Sequence, residues 1–522
     1  MASSSLLRLA NRLRSSIQTR VRTRIQAPIL QPPSPTGHSY CTRPQRAPRA
    51  GLSSVIFPLG HPSISITPEL DRWVDNGNRV RKVEIQDLVR DLRRRRRYKQ
   101  ALEASEWMKY KANVSFGPSD HAVQLDLIGQ VHGVPSAETY FNNLAQNEKT
   151  EKTCGALLNC YVRERQTDKS LTHFQKMKEM GFVSSALPYN DIMCLYANLG
   201  EHEKIPSVLA EMKENNILPD NFSYRICINS YGARSDIDGM EKVLVEMTHQ
   251  PQLVVDWNTY SVVANIYIKA GLNEKAVSAL KKAEEKLDKN SGLCYNHLIS
   301  LYGQLGNKIE MYRIWELQKL RLRRFINRDY TTMLGSLVKL GEIEEAETLL
   351  TEWESSGNSF DFQVPKILLT GYRQKGLLQK AETLLDNYVK KGKKPPSSSW
   401  GILAVGYAEG GDIRKAYEFM LNALNVYGGS GGWKPNSVVT EKILCYLGDE
   451  GGVEAAEVFV GLLRKAVAID RDMYHALIKA SIRAGRQVDE ILERMKADGI
   501  EENEETEEIL SSNKTETASS SS

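Results

Sequence analysis

The chain has 522 residues, 41% hydrophobic and 25% charged, with 69 Lys+Arg against 64 Asp+Glu, which excludes a wholly disordered polymer and leaves room for several domains or one long array. A mean hydropathy of −0.41, with no apolar run near the roughly 18 residues a bilayer requires, excludes stable membrane insertion through an ordinary spanning helix. The seven cysteines (Cys41, Cys154, Cys160, Cys194, Cys227, Cys294, Cys445) form no CxxC pair and are odd in number; a zinc ribbon and a complete disulfide framework are both disfavoured, and a reducing compartment is expected.

Residues 1–50 stand apart. From Met1 to Pro68 there is no Asp, Glu or Lys, while nine arginines, from Arg8 to Arg49, lie among Ser, Leu and Ala. This is the composition of an organellar transit peptide. A helix with Leu6, Leu9 and Leu13 on one side and arginines on the other suits an anionic membrane and a negative-inside potential. The mitochondrial matrix is the address read here, with the chloroplast as alternative. Residues 51–83 read as a linker. Removing residues 1–50 lowers the formal charge from +5 to −4. The tail from Asp498 holds eight acids against Lys514, a net −7, which leaves +3 on residues 51–497. Any anion-binding surface is therefore local.

The run Arg93, Arg94, Arg95, Arg96 and Arg97 is the strongest local charge feature. On a helix these five project all round, so at least three meet solvent and suit RNA phosphates. The plainer reading is a solubilising turn. Further along, Lys319, Arg321, Arg323, Arg324 and Arg328 form a second basic stretch.

Glycines 271, 306, 341, 376 and 411 recur every 35 residues, and four of the five precede LNEKA, EIEEA, LLQKA or DIRKA. That period, with two amphipathic stretches per unit and Gly between them, predicts an all-α solenoid of helical hairpins. Ala276, Ala346, Ala381 and Ala416 mark close approach of the second helix to the first. Trp107, Trp315, Trp353 and Trp400 read as core. Taking the residue after the Tyr of each unit as a marker gives Asn190, Arg225, Ser261, Asn296, Thr331, Lys366 and Gly401, with steps of 35, 36, 35, 35, 35 and 35. Gly155 extends the series backwards; Glu441, after an insertion near Gly428–Gly432, and His475 extend it forwards. Ten to twelve units thus span residues 84–502. Residues 503–522 read as an acidic, Ser-rich disordered tail.

The unit LPYNDIMCLYANLGEHEKIPSVLAEMKENNILPD, residues 187–220, with Tyr189-Asn190, Gly200 and Pro219-Asp220 at its fixed points, resembles the pentatricopeptide repeat family, in the class built only from 35-residue motifs of plant organelles. The tetratricopeptide repeat is close in length but calls for a W-x2-L-G-x2-Y pattern that is absent. The resemblance implies a right-handed superhelix that binds single-stranded RNA, one base per unit. It implies two base readers per unit, the marker residue and the last residue of the motif. An apolar residue three places before the marker is implied to sandwich the base with its equivalent in the next unit.

Carried over, Asn190 and Asp220 favour uracil, with Leu187 and Phe222 as the sandwich. Thr331 and Asp361 favour guanine. Ser261 and Asn296 are further readers, Leu293 a further sandwiching residue, and Arg225 and Lys366 suit phosphates. Most other pairs depart from the code, so few positions carry discrimination at about 1–3 kcal/mol each. Asn190 and Asp220 are equally good capping and turn residues, so a purely local role stays open. Neither HxE nor CxxC is present for a zinc deaminase, nor a phosphate-binding GxxxxGK[ST] loop. No enzyme activity, cofactor or metal is therefore expected. The function read from the sequence is RNA processing, stability or translation in the organelle, with no DNA partner. A second reading is a structural part of the mitochondrial ribosome that contacts ribosomal RNA and proteins, and a third is a protein-binding scaffold.

Overall fold

Most units begin where a short polar residue can cap a helix and break where a left-handed residue can turn the chain. The computed structural model describes residues 51–60, 64–112, 114–287, 291–322, 324–429 and 432–519. Every regular element among them is a helix. The transit peptide expected at 1–50 lies outside the described residues.

The chain divides into two compact units, one ending at Val114 and one running from Ser115. In the first, Lys82–Arg94 and Tyr98–Tyr110 form a hairpin. The stretch 51–83, expected as a linker, carries helices Leu52–Ile56 and Thr67–Asp75. It is held because Leu52, Ile56, Ile66 and Leu70 are buried, each worth about 1.5–3 kcal/mol. Trp107 Nε1 donates to Asp71 at 2.8 Å and the Ile66 amide to Glu103 at 2.8 Å.

In the second unit the first helices of successive hairpins are Pro118–His132, Glu151–Arg163, Ala186–Leu199, Asn221–Ala233, Trp257–Lys269, Gly292–Gln304, Asn327–Leu340, Gln363–Gln374, Ser397–Glu409, Ser437–Asp449 and Arg471–Arg483. Their partners are Val134–Asn142, Thr167–Glu179, Ile205–Glu214, Ile237–Thr248, Asn273–Glu285, Lys308–Arg321, Ile343–Ser355, Leu378–Lys390, Ile413–Asn425, Val453–Leu463 and Asp489–Ala497. Each first helix packs on the first helix of the next hairpin and on its own partner. One core therefore runs through the stack, as the period predicts. Ala276, Ala346, Ala381 and Ala416 are buried in it, as are Trp315 and Trp353.

The periodic glycines end the first helices at positive φ, from 68° at Gly376 to 84° at Gly411. Arg165 (φ 55°) and Ser235 (φ 58°) hold the equivalent place in two earlier hairpins, where an L side chain is strained. Glu504–Ser519, expected as a disordered tail, is a helix. It packs on Arg471–Arg483 through buried Thr506 and Ile509.

Candidate nucleic-acid interface

The marker residues fall on the first helices, five residues after the residue preceding the helix except at Lys366, which lies four after Phe362. The last residue of the motif is therefore the N-cap of the next first helix in the units from Gly155 to Glu441, except that of Thr331, where Asp361 stands one residue before the N-cap Phe362. Asp220 caps through Ser223 N at 2.8 Å, Asp256 through Thr259 N at 2.8 Å, and Asp470 through Met473 N at 3.1 Å. The capping role and the proximity of the two implied readers are thus one arrangement.

Several marker side chains use that proximity to tie one hairpin to the next. Asn190 Nδ2 donates to Asp220 Oδ1 at 3.3 Å, and Ser223 Oγ donates to Asn190 Oδ1 at 2.7 Å. Asn190 is 2% exposed, so it orients the Asp220 carboxylate, whose Oδ2 has no partner among the described residues. The exposed side chains of Leu187 and Phe222 flank this unit's register. Arg225 Nη1 donates to Asp256 Oδ2 at 3.2 Å. Asn296 Nδ2 donates to Asp329 Oδ1 at 2.7 Å, and Gln318 Nε2 donates to the same oxygen at 3.1 Å.

The next two units differ. Thr331 Oγ1 donates to the Arg328 carbonyl at 2.8 Å and Asp361 accepts from the Gln363 amide at 2.9 Å, so the two side chains do not meet. Lys366 is followed, where a carboxylate cap would stand, by Pro396, which offers no side-chain acceptor. Its ammonium has no ion-pair partner among the described residues. Thr331, Gln363, Lys366, Ile367 and Thr370 line an open pocket of about 320 Å³. Thr370 Oγ1 donates to the Lys366 carbonyl at 3.0 Å. Both threonine hydroxyls thus spend their protons on the helix and turn lone pairs outward, while Lys366 and the Gln363 amide supply donors.

The profile for the PPR repeat family matches residues 184–233, and that for the PPR repeat matches 152–182, 293–317 and 329–358. The mitochondrial pentatricopeptide repeat-containing protein At4g21705 of Arabidopsis thaliana is 49% identical over 89% of this chain and 95% of its own. The chain belongs to the pentatricopeptide repeat family. The mitochondrial members At2g20710 and At4g01990 of the same plant are 36% and 34% identical, over 84% and 85% of this chain and 89% and 88% of theirs. Their names agree with the mitochondrial address read from residues 1–50. Among solved pentatricopeptide repeat structures, maize PPR10 aligns with 90% of this chain and 84% of its own at a TM-score of 0.36 and 17% identity. PPR10 with an 18-nt psaJ RNA element aligns at 0.35, over 89% and 80%.

For this pentatricopeptide repeat chain several expected contacts need correction. Ser261 is 3% exposed and its hydroxyl donates to the Trp257 carbonyl at 2.9 Å, so it presents no reading group. Asn296 is buried and fully engaged, and Arg225 is committed to Asp256. The arginine run does not lie on one helix: Lys82–Arg94 ends inside it, Arg96 turns the chain at φ 59°, and Tyr98–Tyr110 begins after it. Arg97 reaches the carbonyls of Phe57 (3.1 Å), Leu59 (2.5 Å) and Ile56 (3.3 Å), so it is a strut within the first unit and not a phosphate ligand. Arg94 pairs with Asp91 at 3.5 Å and Arg95 lies 4.2 Å over the Phe57 ring. Arg94, Arg95 and Arg96 remain exposed, while Arg93 is partly buried.

Sequence reasoning also missed Val438, 57% exposed at the sandwich register, and a repeating triad. Glu241 accepts from Tyr267 and Lys275, both at 2.7 Å; Glu347 accepts from Tyr372 and Lys380, both at 2.8 Å; Glu382 accepts from Tyr407 at 2.5 Å and Lys415 at 3.1 Å. These bonds hold all three carboxyls below the ordinary glutamate range. A second ladder pairs Lys178 with Glu211, Lys213 with Glu246, and Lys319 with Glu352. Spacings of 33 or 34 between Lys and Glu were the available signal. Second-helix cations are thus largely spent on joining hairpins, at about 0–1 kcal/mol per exposed pair. Burial pushes the thiols of Cys154, Cys160, Cys194 and Cys227 up to about 11, far from a reactive thiolate at neutral pH.

Proposed function

We propose that the chain is a non-catalytic binder of single-stranded RNA in mitochondria, acting in the processing, stability or translation of organellar transcripts. The observation that carries this reading is Lys366: a marker residue left without a carboxylate, in an open pocket with Thr331 and Gln363, on the helix layer where Asn190, Arg225 and Asn296 are tied down. An ammonium so placed suits a phosphate oxygen, and stacking on exposed Leu187, Phe222, Leu293 and Val438 supplies base contact without strict reading. Asp220, oriented by Asn190, supplies one acceptor for a base N–H, and Asp361 with Thr331 a second. Arg94, Arg95 and Arg96 supply further phosphate contacts from the first unit.

The test is crosslinking and immunoprecipitation from mitochondria with sequencing of the bound RNA. Enrichment of one or a few transcript segments is expected; recovery of no RNA above background would remove the reading. The tied state of Arg225, Asn296 and Ser261 favours a second reading, a structural clasp in the mitochondrial ribosome. In that case ribosomal RNA dominates the crosslinks and the protein stays on a subunit through a high-salt wash.

A further inference from the structure

The unit at Gly401 has no marker side chain, and another residue fills the space. Atoms Nε1, Cζ2 and Cε2 of Trp433 stand 3.1, 3.2 and 3.3 Å from where a Cβ on Gly401 would lie. The indole comes from the insertion between Tyr427 and Asn436, which stretches this marker interval from 35 residues to 40. Pro435, two residues on, is buried, and the Tyr427 ring lies 5.9 Å from the indole, tilted 58°. The ring keeps part of its surface in solvent. Val438, largely exposed, opens the next first helix five residues on.

Gly401 lies on the helix layer that carries Lys366 and Thr331 in the preceding units. A buried glycine at that point admits a flat ring where any side chain would displace it. The insertion delivers to that seat the residue with the largest π surface. The loop is otherwise rich in glycine, and Trp433 is the residue it seats on Gly401.

We propose that Trp433, seated on Gly401, is a nucleobase-stacking platform: it holds a base of single-stranded RNA by its face and makes no demand on its identity. The inference rests on the RNA-binding reading above. Stacking on an aromatic side chain tolerates every base because each has a π face.

The test uses the full chain and two probes, an oligouridylate long enough to span the stack and an RNA of equal length with an abasic tract. Trp433→Ala is expected to weaken oligouridylate binding roughly 5- to 150-fold, Trp433→Phe only a few-fold, and all three proteins to bind the abasic RNA alike. In the wild type, a 5-iodouridine oligomer is expected to crosslink to the peptide containing Trp433, a readout independent of how the variants fold. Unchanged binding by Trp433→Ala, or crosslinks confined to other peptides, would overturn the platform. Tighter binding by Trp433→Ala would also overturn it and make the ring an obstruction. Failure of the wild type to bind any RNA would overturn the RNA reading itself, and the platform with it.

Discussion

Asn296 and Asp329 are joined across two hairpins, Nδ2 to Oδ1 at 2.7 Å, with both side chains buried and Gln318 donating to the same carboxylate. Deleting the amide removes one of the two side-chain donors to that buried carboxylate oxygen and takes from Gln318 Nε2 the Asn296 Oδ1 acceptor it holds at 3.3 Å. Asn296→Ala should therefore cost about 1–3 kcal/mol, while Thr331→Ala, which loses only a bond to its own helix, should cost under about 0.5 kcal/mol. Because a long array need not unfold in one step, amide hydrogen exchange in Asn327–Leu340 is the measurement. Equal protection in the two variants would refute the assignment of Asn296 as a structural tie.

Lys366 and Arg225 occupy the same marker position, yet Lys366 has no ion-pair partner among the described residues and Arg225 is bound to Asp256 at 3.2 Å. If Lys366 meets a phosphate, Lys366→Ala should lower the slope of log K against log salt by about 0.7. Arg225→Ala should leave that slope unchanged. Fluorescence anisotropy with one RNA over a salt series decides the matter, and identical slopes in wild type and Lys366→Ala would remove Lys366 from the contact set.

Asp191, next to Asn190, has its carboxyl pushed up to about 6 by burial, partly countered by a 3.3 Å bond from Asn159. A carboxyl raised in the folded state favours folding at low pH and loses that contribution as pH rises through about 6. Asp191→Asn copies the neutral form. It should stabilise the protein at pH 7.5 by about 1–3 kcal/mol, with the gain shrinking towards pH 4. Melting curves across that range test the sign; a gain independent of pH would show that charge at Asp191 is not the cause.

Gly376 turns the chain at φ 68° with open space around it, whereas Ser235 makes the corresponding turn at φ 58°. Gly376→Ala should cost about 1–2 kcal/mol from backbone strain alone, and Ser235→Gly should recover part of such a cost. Urea titrations of both variants should move in opposite directions.

What the sequence disclosed was what the chain repeats. The glycines from Gly271 to Gly411, the alanines from Ala276 to Ala416 and the Tyr preceding each marker each solve one packing or turning problem per hairpin, so their spacing announces the stack. The site was less legible because its outcome depends on pairs. Whether Lys366 is available turns on Pro396, thirty residues away, and the burial of Asn296 turns on Gln318 and Asp329. Arg97 looked like a phosphate ligand until the carbonyls of Phe57 and Leu59 were in place. Trp433 lies outside the period altogether, since an insertion has no register from which to read a role. The helix Glu504–Ser519 was hidden by its composition: six acids near its start read as tail, whereas two inward residues, Thr506 and Ile509, suffice to anchor it.

That last helix covers the last described hairpin. A stack of like hairpins presents at each terminus a surface shaped to receive another copy, and two such surfaces meeting would propagate into fibres. Glu504–Ser519 fills the place of the next first helix, with His475 Nε2 and Thr506 Oγ1 hydrogen-bonded at 2.9 Å on its inner side. Glu504, Glu507 and Glu508 are exposed on the same helix, and Glu505 reaches back to His475 Nδ1 at 3.5 Å. Two molecules approaching through their C-terminal ends bring like charges together, so the same helix that completes the core opposes tail-to-tail association.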